Sequence, residues 1–344
     1  MLRALVNEAR LRLDITTMGP LLIKSGYVTI AGADMTPVQT YRNGQLEVYL
    51  PGSSLKGVFR SHLEKVINSI QAKVACNPLS RRNDPDEEKQ LYLESCSKYD
   101  RLPKPAAYAS SCPTCRVFGS TAFIGRIAGE DAYLSKSNED QQESEEQKKF
   151  VEHRDGVAID RLTGGASSRA KFDLEPVTAG TTFTTTLTLR NFEIWQLGMI
   201  FVLIQDMHDG LIHIGSGRSR GLGAVTAELN EQAEGAHQGG LVLSSIRQMQ
   251  GKEEPDDQLW GLGHWLAERK EQENYGTKGD DMLTLSPEMT HTIEGIRATR
   301  VFKGNALTQL KTPCIDAFLT RIRAWESAKL PEARPAEERR GQQR

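Results

Sequence analysis

Four sulfurs, a pair of hydroxyls beside a lysine, and two arginines set among glycines are the side chains whose types and spacing suit them to chemistry. Cys112-Pro113-Thr114-Cys115 is a knuckle with a two-residue gap. Cys76 and Cys96 upstream bring the thiolates to four, the donor set of a closed tetrahedral zinc site. The wide, unequal spacing between Cys76 and Cys96 leaves three alternatives: buried free thiols, a redox pair, or replacement of one sulfur by a histidine such as His62. A fifth cysteine, Cys314, stands far from the others, and an odd count crowded into one stretch is unlike an evenly stapled secreted domain.

Gly215, Gly217, Gly221 and Gly223 are interleaved with Arg218 and Arg220. Glycine lets a backbone approach a ligand closely and guanidinium groups reach phosphate, so this loop suits a nucleic-acid backbone. A flexible turn is the plain alternative. The loop precedes a strand instead of linking a strand to a helix, and no G-x-x-x-x-G-K-S/T occurs, which argues against a nucleotide-cofactor cradle. Pro51-Gly52-Ser53-Ser54-Leu55-Lys56-Gly57 puts Ser53 and Ser54 at a helix start with Lys56 in the first turn, where free N–H groups favour an anion. The same residues also read as an ordinary serine cap with Lys56 in solvent.

These groups need elements to position them. Residues 9–17 alternate Leu11, Leu13 and Ile15 with Arg10, Arg12 and Asp14, the period of a strand with one buried face. Leu55, Val58, Phe59, Leu63, Val66, Ile67 and Ile70 fall at helical spacing and predict a helix over about 54–73. A short strand at 132–134, a threonine-rich strand at 183–189, a helix at 194–207 and a strand at 224–229 follow. The order strand, helix, strand, strand, helix, strand predicts an α+β fold of the ferredoxin-like, split βαβ kind, an antiparallel sheet with both helices on one face.

That core is expected over residues 1–230. An insertion at about 74–125 holds the cysteines and has too little periodic apolar content for a core of its own, so metal would supply its folding energy. Residues 137–149 read as a solvated loop. Residues 231–344 form a C-terminal extension, with helices around 259–266 and 314–325, expected to pack incompletely and to end in a disordered stretch.

With 344 residues, 43 Lys plus Arg against 45 Asp plus Glu and a formal charge of −2, the composition is that of a globular chain and not a disordered one. The balance excludes a protein that coats nucleic acid through bulk positive charge, so a basic groove must be local. No apolar run is long enough to span a bilayer, and charges within residues 1–13 leave no signal-peptide core. A cytoplasmic protein without a membrane partner is expected.

Read together, four blocks resemble the signature of the RAMP superfamily, and within it the group 7 backbone subunit of type III CRISPR-Cas effector complexes. They are Gly32-Ala33-Asp34, the block from Pro51, Gly156-Val157-Ala158-Ile159-Asp160-Arg161-Leu162-Thr163-Gly164-Gly165-Ala166, and the glycine–arginine loop from Gly215. The resemblance covers about residues 8–230. It implies an RNA-recognition-like ferredoxin core with a β-hairpin thumb within about 137–180. It also implies copies or paralogues stacked along a guide RNA, assembly with other RAMP proteins and a large subunit, and cleavage of complementary target RNA. On this resemblance Ser53, Ser54, Lys56, Gly215, Gly217, Arg218, Arg220 and Gly221 hold guide phosphates. Arg154 and Arg161 bracket the thumb that wedges between guide and target, and Asp34 is the cleaving carboxylate.

Ala31-Gly32-Ala33 stands where the family often has consecutive glycines. A single Asp suits metal-assisted attack by a ribose 2′-hydroxyl, with a divalent cation such as Mg2+ or Mn2+. Two rival functions stay open. One is a scaffold that binds RNA without cutting it. The other is a nuclease that processes the precursor guide, which needs a general base near the glycine loop, where His208 and His213 stand.

Overall fold

In the computed structural model, which describes residues 4–26, 33–42, 44–80, 93–135, 150–232, 239–246, 248–249, 252–269, 275–285, 289–294 and 296–326, the alternating N-terminal stretch is strand β1 (Asn7–Thr17). Helix α1 (Gly52–Ile70), the short helices α2 (Lys104–Ser110) and α3 (Pro113–Phe118), and strands β2 (Ile127–Gly129) and β3 (Tyr133–Leu134) follow. Next come β4 (Thr182–Arg190), α4 (Ile194–His208), β5 (Val225–Leu229) and β6 (Leu241–Ile246). The chain continues through α5 (Leu262–Glu268), β7 (Thr290–Glu294), β8 (Arg297–Phe302) and α6 (Gly304–Arg323).

β1 is the centre of an eight-stranded antiparallel sheet. One edge pairs with β4, Leu11 facing Leu187 and Ile15 facing Phe183, and β4 in turn pairs with β2 and β3. The other edge is divided: β5 takes Leu13 to Thr17 and β6 takes Asn7 to Leu11. The order β5, β1, β4, β2 is compatible with the ferredoxin-like arrangement expected from the sequence. Leu11, Leu13 and Ile15 are fully buried on one face with α1 and α4, each such side chain contributing about 1.5–3 kcal/mol, while Arg10 faces water.

α1 buries Leu55, Phe59, Leu63 and Ile67 and turns Ser53, Gly57, Ser61 and Lys65 outward. It stops before the expected residue 73, because Gln71 is extended and Lys73 takes a positive φ of 62°. Its cap also differs from expectation. Pro51 holds the cap position, and the Gly52 N–H donates to Asp131 Oδ1 at 2.7 Å, so neither serine caps the helix.

One expectation is overturned. The described part of the extension packs closely: β6, β8 and β7 widen the central sheet, and α6 lies along α4, where a Cβ on Gly198 would collide with the Cys314 carbonyl. The insertion has no core of its own and shares one with the extension. Tyr99, Ala107, Tyr108 and Phe123 join Trp260, Leu262, Trp265 and Tyr275 of the extension in a second apolar cluster around the cysteines. The expected helix over 259–266 begins as a strand, Gln258–Trp260, before α5. The expected loop at 137–149 and the chain end lie outside the described residues.

Candidate nucleic-acid interface and metal centre

Cys76, Cys96, Cys112 and Cys115 are buried, and their sulfurs lie within 4.8 Å of one another. Local structure aims them inward: Cys112 caps α3 and accepts the Cys115 N–H at 3.5 Å, and the Cys76 and Cys115 sulfurs are 3.5 Å apart. α1 reaches the same centre. Arg60 Nη2 lies 3.2 Å from Cys115 Sγ while Nη1 holds the Gly119 carbonyl and Nε holds Glu64. Burial opposes ionisation of Cys112, yet hydrogen bonds from Cys115, Cys76, Cys96 and Thr114 keep its thiol well below the usual range. Four converging sulfurs with a guanidinium beside them have the donor chemistry of a structural zinc site. His62 is not one of the group, for its Nε2 lies 2.6 Å from Asp206 Oδ2.

The outward stripe of α1 runs past two cavities. At its start a cavity of about 510 Å³ is lined by Ser53, Lys56, Arg126, Arg190 and the edge strand β2. Lys56 donates to the Ile127 carbonyl at 3.4 Å, and burial, with Arg60 nearby, lowers its ammonium pKa. Ser54 is half-buried and lines neither cavity. Further along, a cavity of about 390 Å³ is lined by Ser61, His62, Lys65, His213, Arg218 and Ser219. Three basic or imidazole-bearing elements thus meet across it, α1, the segment before the glycine loop, and the loop itself. His208 is elsewhere, paired with Glu228 at 3.7 Å.

The glycine loop is built by its backbone. Gly215, Gly217, Gly221 and Gly223 all have positive φ, and Gly217 and Gly221 flank a single 3-10 turn of Arg218–Arg220. A Cβ on Gly215 would strike the Leu22 carbonyl, and the Ser216 N–H donates to that carbonyl at 2.9 Å. Gly215 thus allows close packing on the segment after β1, Gly217 makes room for Leu222 and Gly223 for the Ile214 carbonyl, while Gly221 faces open space. The two arginines part company: Arg218 lines the second cavity, whereas the Arg220 guanidinium lies over the Phe172 ring, its carbon 5.3 Å from the centroid.

Phe172 belongs to a hairpin, Arg154–Ile159 paired with Ala166–Leu174, that occupies part of the expected thumb. Its tip is fixed by Asp160, whose carboxylate accepts the Leu162 and Thr163 N–H groups, which hold its pKa below the ordinary value. Leu162, at 97% exposure, Ile159 and Val157 project into solvent, Arg161 is exposed beside them, and Arg154 pairs with Glu152. Asp34 is exposed and sits at the hairpin's base, accepting the Asp173 N–H at 3.1 Å. The Met35 N–H donates to the Asp173 carbonyl, and the Glu175 N–H to that of Met35. His153, Asp155 and Asp173 bring ligand atoms within 4.8 Å of one another, and Lys171 Nζ lies 3.3 Å from Asp155 and 3.8 Å from Asp173.

A model of the RAMP superfamily matches residues 14–226. The chain belongs to the RAMP superfamily. Membership makes it a CRISPR-associated RNA-binding protein in coarse terms, and the matched span holds the cysteine centre, both cavities, the hairpin and the glycine loop. No curated protein matches the chain. Among the described residues of this RAMP protein, no helix is long and apolar enough to cross a membrane.

The sequence did not single out Lys65, Asp206, Arg190, Phe172 or the trio His153, Asp155 and Asp173. Asp173 lies 139 residues from Asp34, and no local pattern signals that pairing. Gly156 was a readable signal for Phe172: glycine inside a strand marks a close approach, and here an aromatic ring fills the space.

Proposed function

We propose that this RAMP protein is the group 7 backbone subunit of a type III CRISPR effector, that it holds guide RNA along α1 and the glycine loop, and that it cuts complementary target RNA beside Asp34. One observation supports this reading above the rest. The Asp34 loop, the hairpin base and the glycine loop converge on one apolar cluster of Leu22, Leu174 and Leu222, with Met35 and Phe172 against it. A cleaving carboxylate, a wedge and a phosphate-facing loop therefore share one support. Lys56 and Arg190 in the first cavity and Lys65 and Arg218 in the second give the guide backbone its positive contacts.

In the proposed reaction the ribose 2′-oxygen attacks the adjacent phosphorus, the bond to the 5′-oxygen breaks, and a 2′,3′-cyclic phosphate and a 5′-hydroxyl result. Asp34 takes the 2′-hydroxyl proton, and the leaving oxygen gains one from water. The exposed Val157, Ile159 and Leu162 unstack a base pair and turn one target nucleotide toward Asp34. His153, Asp155 and Asp173 bring three ligand atoms together and would suit the divalent cation in place of Lys171, which pairs with both carboxylates. A cation held by these residues would supply positive charge to stabilise the charge developing on the phosphate. The cysteine centre takes zinc and fixes the insertion against α1.

The test is cleavage of complementary RNA by the assembled complex, with a divalent cation and with chelator. Asp34→Ala should keep guide and target bound while cleavage falls about 10²-fold or more, the scale of one catalytic acid or base. Wild-type rates in Asp34→Ala, or no cleavage by wild type, would leave the scaffold reading. Cleavage that survives chelator and depends on His62, held by Asp206 across from His213, would favour guide processing.

A further inference from the structure

Phe172 is held from three sides. Across the hairpin it pairs with Gly156, where any Cβ would run into the ring. Arg220 of the glycine loop lays its guanidinium over the ring, and the ring packs on the cluster of Leu22, Leu174 and Leu222 together with Met35. Side chains alternate along a strand, so the next residue, Asp173, points the other way, and its backbone is the part that meets Asp34. The order of contacts is Arg220, Phe172, Asp173, Asp34.

We propose that Phe172 and Arg220 are positioning residues for Asp34: layered over Gly156, they lock the glycine loop to the hairpin base and thereby fix the strand whose Asp173 N–H holds the Asp34 carboxylate. The role assigned to Asp34 in cleavage rests on the proposed function; the locking itself does not. Arg218 and Arg220 then divide the work. Arg218 faces the cavity where a guide phosphate would lie, and Arg220 spends its planar face on an aromatic ring. Lysine keeps the charge that a phosphate contact needs but has no planar face, so Arg220→Lys separates the two roles.

Two measurements on the same variants decide the matter. Guide content and single-turnover cleavage at saturating target are measured on the assembled complex carrying Arg220→Lys, Phe172→Leu or Phe172→Tyr. Amide exchange over residues 33–36 and 172–175 is measured on the full chain. Arg220→Lys and Phe172→Leu should load guide as wild type does, cleave about five- to tenfold more slowly, and exchange faster in those two segments, because a small misplacement of a reacting group is costly. Phe172→Tyr keeps the ring face and should restore both readouts.

Unchanged exchange in Phe172→Leu overturns the proposal. So does a loss of guide in Arg220→Lys that fully accounts for its loss of cleavage, since Arg220 would then be a phosphate contact. A wild-type complex that does not cut refutes the catalytic role of Asp34, while faster exchange in Phe172→Leu would still establish the lock.

Discussion

Removing metal from the cysteine centre should open the second core and spare the first. Apparent zinc-binding energies of about 10–16 kcal/mol are as large as the whole stability of a typical domain, about 5–15 kcal/mol. In this fold the sulfurs do not work alone, because Tyr108, Phe123, Trp260, Trp265 and Leu262 are buried around them at about 1.5–3 kcal/mol each. Partial loosening is therefore expected instead of global unfolding. It should be confined to α2, the cysteine-bearing start of α3, and α5, whose side chains share that cluster, while Val117 and Phe118 at the end of α3, with α4 and α6, belong to the other. The assay is elemental analysis of protein purified without added metal, followed by amide exchange before and after chelation. About one zinc per chain is expected, with faster exchange in α2, the start of α3, and α5 once it is removed and in Cys112→Ser with Cys115→Ser. Arg60→Ala, which removes the guanidinium beside Cys115, should weaken zinc binding about 10–100-fold. An absence of zinc, or exchange at the start of α3 and in α5 indifferent to chelation, would refute the reasoning.

Lys65→Ala with Arg218→Ala should lower guide affinity and reduce its salt slope by about 1.4, near 0.7 per lost contact on a single strand; titrations giving equal slopes would return the loop to a structural turn. Burial, with Glu193 alongside, pushes the Asp281 carboxyl up to about 8. A folded pKa above the unfolded one, about 3.9, means that stability is greatest in acid and is lost as pH rises through about 8. Melting temperature should thus fall between about pH 5 and pH 8, and a fall equally steep in Asp281→Asn would assign it to other groups. Arg300 is paired with Glu254 at 2.7 Å, both fully enclosed, so Glu254→Gln should cost about 3–5 kcal/mol in urea unfolding, and a loss below about 1 kcal/mol would show the guanidinium finding another partner.

The parts of the fold with long, regular periods were legible. β1 and α1 declare themselves because each buries one face or stripe over several turns or pairs of residues, α4 because its apolar run is buried nearly all round, and their chain order is enough to set both helices against one sheet. The helices of the C-terminal extension were legible in part, but its strands were not, for a specific reason. β6 and β8 join a sheet already present, and the apolar partners of the insertion, Trp260 and Trp265, lie more than a hundred residues downstream. Composition counted within the insertion alone therefore could not show the core it shares with the extension.

At the site, residue type was a better guide than contact. The four cysteines meet as their chemistry suggests, and Ser53, Lys56 and Arg218 line cavities, but Ser54 does not, and Arg220 meets a ring. Asp34 gains its partner from a strand that only the folded chain brings near. Gly215 and Gly223 are required by close backbone neighbours in the fold, a need that looks the same in sequence as close approach to a ligand.

The cover that α6 gives α4 sets a problem of timing during synthesis. Almost every residue from Ile194 to Ile204 is buried, and much of that burial comes from a helix made roughly a hundred residues later. At about 5–20 residues per second, a nascent chain leaves the α6-facing side of α4 uncovered for about 5–20 s after it leaves the ribosome, with Trp195 and the surface at Gly198 open to other apolar surfaces. A transcript truncated before α6 would make that exposure permanent. The yield of intact protein should consequently depend on translation speed through residues 209–303 and on chaperones that occupy a bare helix, even though none of those residues lies on α4 itself.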